Sequence, residues 1–110
     1  MTPIVCSWIP HCPKTDEKNP TSKPSVPAEP TGYALLAKNA AAAEGGLFID
    51  LHKLIMERYA QLTPAEIKTK YFTDADDTHT NPEGAKLNAE CVVEGLKQLP
   101  SHPLDAYLAK

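Results

Sequence analysis

The chain has 110 residues, 42% of them hydrophobic and 23% charged, with a formal net charge of −3. That is the make-up of one small globular domain. It lacks the basic excess that nucleic acid demands, and no apolar run approaches the roughly 20 residues of a membrane helix, so neither nucleic acid nor membrane is an expected partner. Met1-Thr2-Pro3-Ile4-Val5-Cys6 lacks the basic region and long apolar stretch of a signal peptide, which as given points to the cytoplasm.

Residues 3 to 9 are nearly all apolar and rich in β-formers, as a short buried parallel strand requires. The strand begins almost at the first residue, so the expectation is that part of the domain lies upstream. Residues 10 to 30 carry Pro10, Pro13, Pro20, Pro24, Pro27 and Pro30, which exclude helix and central strand. This stretch is a loop, either a mobile surface segment or a substrate-facing lip. Residues 31 to 44 read as a helix capped by Thr31, with Leu35, Leu36, Ala40 and Ala43 on its apolar face and Gly45-Gly46 as the stop. Leu47-Phe48-Ile49-Asp50 reads as a second buried strand ending in a carboxylate. A helix follows, with Leu51, Leu54, Ile55, Tyr59 and Leu62 at helical spacing. Thr63-Pro64-Ala65-Glu66 opens a further short helix through a capping box. An acidic loop over 71 to 80 leads into a last helix from Pro82 to Leu99, capped by Asn81, with an apolar stripe of Ala85, Ala89, Val92, Val93 and Leu96. Residues 101 to 110 are a short helical turn or a frayed tail.

The order strand, helix, strand, helices predicts an α/β fold with the two strands parallel. Two short strands cannot cover three helix stripes, and such a sheet leaves its edges open. The expectation is therefore a single incomplete domain over 1–110, completed by a complementing segment or by other copies of the chain as a homo-oligomer. The three cysteines, Cys6, Cys12 and Cys91, do not make a disulfide framework, though a Cys6–Cys12 bridge stays open. Cys6 and Cys91 read as small buried hydrophobes. His11 and Cys12 near Cys6 lack a second ligand pair at zinc spacing, so no metal is expected there.

The segment Asp76-Asp77-Thr78-His79-Thr80-Asn81-Pro82-Glu83-Gly84-Ala85 carries the chemistry. An aspartate three residues before a histidine lets the loop fold back, so that Asp76 accepts the Nδ1–H of His79 and leaves Nε2 free as a base. Gly84-Ala85 keeps the first helical turn slim for a neighbouring element. Two rival readings remain on spacing alone. One is a capping loop with an exposed histidine. The other is a hard-cation site on Asp74, Asp76 and Asp77, although no EF-hand pattern is completed.

That segment, within Tyr71 to Leu99, resembles the C-terminal block of SGNH/GDSL-type hydrolases, closest to the rhamnogalacturonan acetylesterase type of carbohydrate esterase. Pro3-Ile4-Val5-Cys6-Ser7-Trp8-Ile9-Pro10 is similar to a central-strand segment of that family, and Phe48-Ile49-Asp50-Leu51 to the next strand–helix unit. The resemblance implies a flavodoxin-like three-layer sandwich lacking its N-terminal strands, and carboxylic-ester hydrolysis of small esters or acetylated sugars through an acyl-enzyme. It implies His79 as base, Asp76 as its orienting partner, and no metal or organic cofactor. Full-length relatives of this kind include secreted enzymes. The family's Gly-Asp-Ser nucleophile block has no counterpart here, nor has its Gly-x-Asn-Asp block, so weak or no activity is expected of the chain alone. Ser7, Ser22, Ser25, Ser101 and the cysteines are the residual nucleophile candidates. Ser7 is the best placed, near the C-terminal end of the first strand where α/β sites form.

Overall fold

A computed structural model describes residues 3–15, 17–19, 21–27 and 29–99. The expectations placed on Ser101 and on the tail after it lie outside the described residues.

The apolar run at the start forms β1 (Ile4–Cys6), and Leu47-Phe48-Ile49 forms β2 (Leu47–Ile49). They pair in parallel with Ile4 opposite Leu47 and Cys6 opposite Ile49. The parallel sheet follows from the helix between them, α1 (Gly32–Ala43). After β2 come α2 (Leu51–Tyr59), α3 (Pro64–Tyr71) and α4 (Pro82–Gln98). The result is a small α/β domain with two parallel strands and four helices among the described residues. None of these helices is long and apolar enough to cross a membrane.

The helix starts follow local chemistry. Thr63 and Glu66 form the reciprocal capping box before α3, with Pro64 in the first turn. Asn81 caps α4 by accepting the Gly84 N–H at 2.9 Å, and Asp50 caps α2 by accepting the Lys53 N–H at 3.3 Å. Thr31 stands at the N-cap of α1 but makes no side-chain capping bond, a correction to the expected cap. Gly45 adopts φ 69° just past α1, the left-handed stop that favours glycine.

The core lies among α2, α3, α4 and β2. Ile55, Tyr59, Ile67 and Cys91 are fully enclosed there, and the Tyr59 ring stacks on Tyr71 with centroids 5.7 Å apart. Two stripes differ from expectation. On α1 the buried residues are Ala34 and Ala41, while Leu35 and Leu36 face outward. On α4 the buried residues are Gly84, Leu87, Asn88, Cys91 and Gly95, while Ala85 and Ala89 are exposed. The cause is close approach. A Cβ on Gly95 would collide with Ile49 of β2, and one on Gly84 with the Tyr71 carbonyl oxygen. On α1 small residues therefore face inward and Leu35 and Leu36 turn away, whereas on α4 Val92 and Leu96 of the expected stripe do pack against the core while Ala85, Ala89 and Val93 are exposed. Cys6 is exposed rather than buried, and all three cysteines are free thiols.

The Pro-rich stretch forms no helix or strand among its described residues. It is nevertheless anchored. Cys12 is buried in the core and Val26 packs against it, while Pro27 and Pro30 line a small cavity with Trp8, Asp50 and His52.

Candidate active site

The acidic loop is a closed hairpin. Its base is an antiparallel bridge between Phe72 and Thr80. Two flanking bonds reinforce it, Thr73 N–H to the His79 carbonyl at 3.0 Å and Asn81 N–H to the Tyr71 carbonyl at 3.0 Å. The Asn81 amide donates onward to the Lys70 carbonyl at 3.0 Å, tying the end of α3 to the start of α4. Gly84 permits this closeness, because any side chain there would meet Tyr71 and Thr80.

Within the hairpin the Asp76 carboxylate acts in two directions. Oδ1 accepts the backbone N–H of His79 at 2.8 Å and of Thr78 at 2.9 Å. Oδ2 lies 2.6 Å from His79 Nδ1. The two backbone donors are the main reason the Asp76 carboxyl is held well below the usual carboxylate range, with the imidazole bond adding to them. The Asp76 side chain is 39% exposed and that of His79 75%. The carboxylate is thus clamped from below, and the imidazole it orients is largely exposed, with no partner for Nε2 among the described residues. Among the described residues Asp76 is the only hydrogen-bond partner of the His79 ring.

Asp77 points elsewhere. Its carboxylate accepts from Lys68 Nζ at 3.1 Å, and its carbonyl accepts the Cys12 N–H at 2.8 Å. No group of three or more His, Cys, Asp or Glu side chains converges among the described residues, whether on the acidic loop or around His11 and Cys12.

Ser7 sits one residue beyond β1 and is only 3% exposed. Its hydroxyl donates to Asp50 Oδ1 at 2.8 Å and accepts the His52 N–H at 2.9 Å. Both its donor and an acceptor position are therefore engaged by the start of α2, and its hydroxyl is joined to Asp50 and His52 rather than to His79. Beside it Trp8 lies against His52 with ring centroids 4.9 Å apart. Burial pushes the His52 imidazole below its usual value, with Asp50 opposing. The thiols of Cys12 and Cys91 are pushed up by burial, which keeps them protonated and poorly nucleophilic.

Two features escaped sequence reasoning. The Ser7–Asp50 bond was within reach of it, because the strand register makes the residues just after Cys6 and Ile49 neighbours. Lys68 carried no such signal, since its reach to the acidic loop depends on how α3 turns into the hairpin.

No protein-family model, curated protein or solved structure matches this chain.

Proposed function

We propose that the chain supplies the base end of an ester-hydrolase site of the SGNH/GDSL type, with His79 as general base and Asp76 as its orienting carboxylate. The observation that carries this reading is the 2.6 Å Asp76–His79 contact on a carboxylate already fixed by two backbone N–H groups. In the reaction, Nε2 takes the proton of an attacking hydroxyl as its oxygen bonds to the ester carbonyl carbon. The resulting imidazolium then gives that proton to the departing alcohol, leaving an acyl-enzyme. Water repeats the sequence and releases the acid. Asp76 stabilises the imidazolium against the positive end of α4, which begins three residues later.

The hydroxyl is the missing part. Ser7 serves only by giving up its bonds to Asp50 and His52, so a complementing polypeptide segment is the better source. In this reading β1 and β2 belong to a flavodoxin-like three-layer sandwich, supported by α1 packing on both strands and by Gly95 of α4 lying against Ile49. The substrate class is a small ester or an acetylated sugar. The test is hydrolysis of an aryl acetate by the purified chain. We expect a slow rate that drops to solvent background in His79→Ala, and equal rates in the two proteins sink the reading.

A second reading is a self-associating interaction module. Tyr33 and Leu36 on α1 are 81% and 63% exposed, Trp8 and Ile9 are exposed beyond β1, and among the described residues the sheet has two strands. Association would cover this surface. Sedimentation at rising concentration should show a dimer or larger species, and a compact monomer throughout removes this reading.

A further inference from the structure

The base of the acidic hairpin is held by the Phe72–Thr80 bridge, but its tip pairs with no strand among the described residues. Two contacts hold the tip. From α3, Lys68 Nζ donates to the Asp76 carbonyl and to the Asp77 carboxylate. From the segment after β1, the Cys12 N–H donates to the Asp77 carbonyl. The backbone at Asp76 and Asp77 is thereby pinned by two other segments, while the Asp76 carboxylate reaches the Thr78 and His79 amides and the imidazole. The charge pattern around Lys68 is simple. Asp77 faces it directly, and the Cys12 thiol senses both groups, Asp77 raising its pKa and Lys68 lowering it.

We propose that Lys68 is the positioning residue of the Asp76–His79 pair. It touches neither imidazole nor substrate. It fixes the backbone from which the orienting carboxylate is aimed, as an outer partner does for a ligating or catalytic side chain. A carboxylate moved out of place weakens its two amide bonds and its hold on Nδ1 together, since all three bonds issue from one side chain. The proposal rests on reading that pair as a base, but its geometry is measurable without any catalysis.

The experiment uses the full chain and compares wild type, Lys68→Met and Lys68→Arg by NMR. Two quantities are followed, amide hydrogen exchange at Thr78 and His79 and the titration of the Asp76 carboxyl. Lys68→Met should speed exchange at both amides by about tenfold or more and move the Asp76 carboxyl up toward the ordinary value. Lys68→Arg, which keeps a long cationic donor, should restore both. Unchanged amide exchange in Lys68→Met overturns the proposal. So does a raised Asp76 carboxyl with amides still protected, because that is the signature of a lost cation and not of a lost position. If Lys68→Met does not fold, Asp77→Ala removes one of the two Lys68 contacts and should loosen the same amides partially; unaltered amides there count against the proposal equally. Loosened amides in a chain whose wild type shows no His79-dependent hydrolysis would remove the esterase reading and leave Lys68 as the holder of the pair.

Discussion

Two carboxylates in this molecule do the same local job with opposite consequences. Asp50 follows β2, accepts a side-chain O–H from Ser7 and caps α2. Asp76 sits in the acidic hairpin, accepts two backbone N–H groups and lies against an imidazole. Asp50 links the Ser7 hydroxyl to the start of α2, and Asp76 links the His79 imidazole to the backbone of its own turn. The Ser7 hydroxyl, however, is engaged as donor and as acceptor and is buried, whereas the His79 ring uses one nitrogen and leaves the other in solvent. In the proposed reading, reactive capacity follows from the unused hydrogen-bonding position and its exposure. The residue types alone, a hydroxyl beside a carboxylate against an imidazole beside a carboxylate, would have ranked the two places more nearly equal.

Ser7→Ala breaks this comparison most sharply. It strands the His52 N–H and removes one donor from Asp50 at a joint that is partly closed to water. Leaving such groups unsatisfied costs about 1–3 kcal/mol. We expect thermal denaturation to show that loss, while the His79-dependent hydrolysis of an aryl acetate, measured well below the melting temperature, stays within about twofold of wild type. An intact melting temperature with abolished hydrolysis reverses the assignment and makes Ser7 the nucleophile.

The difference between the two regions also marks what was legible in the sequence. Capping residues were readable because their partners lie three positions away in the chain. Thr63 with Glu66, Asn81 with Gly84 and Asp76 with His79 all close local rings. The strands and their parallel pairing were readable from apolar runs separated by a helix. The buried face of α1 was not, and that of α4 only in part: Val92 and Leu96 of the expected α4 stripe pack against the core, but inward positions also belong to Ala34 and Ala41 on α1 and to Gly84 and Gly95 on α4. Close backbone approach selects small residues, and on α1 a search for large apolar side chains at helical spacing finds the opposite face. Lys68 is the extreme case, since its contact spans a helix end and a turn and leaves no periodic trace.

The smallest expected effect is the pH response of the Asp76 turn, and its sign follows from the bonds. The carboxyl is held below its ordinary value by the N–H of His79, the N–H of Thr78 and then the His79 ring. A carboxyl with a depressed folded value stabilises the fold fully above its unfolded value of about 4, and that contribution declines as pH falls below it and is gone below the folded value. Glu66 acts in the same direction through the Thr63 N–H and hydroxyl, so wild type should lose stability below about pH 4 from both sites. Asp76→Asn keeps a carbonyl oxygen for the two backbone amides but no titrating group. Its melting temperature should lie below that of wild type at pH 7 and converge with it as pH approaches 2. The His79-dependent rate should fall with it at pH 7, because an amide cannot stabilise the imidazolium. Parallel melting curves over that range would mean that the carboxylate contributes nothing in its charged form. His79 would then be an exposed histidine beside a turn, with no more claim to chemistry than Ser7.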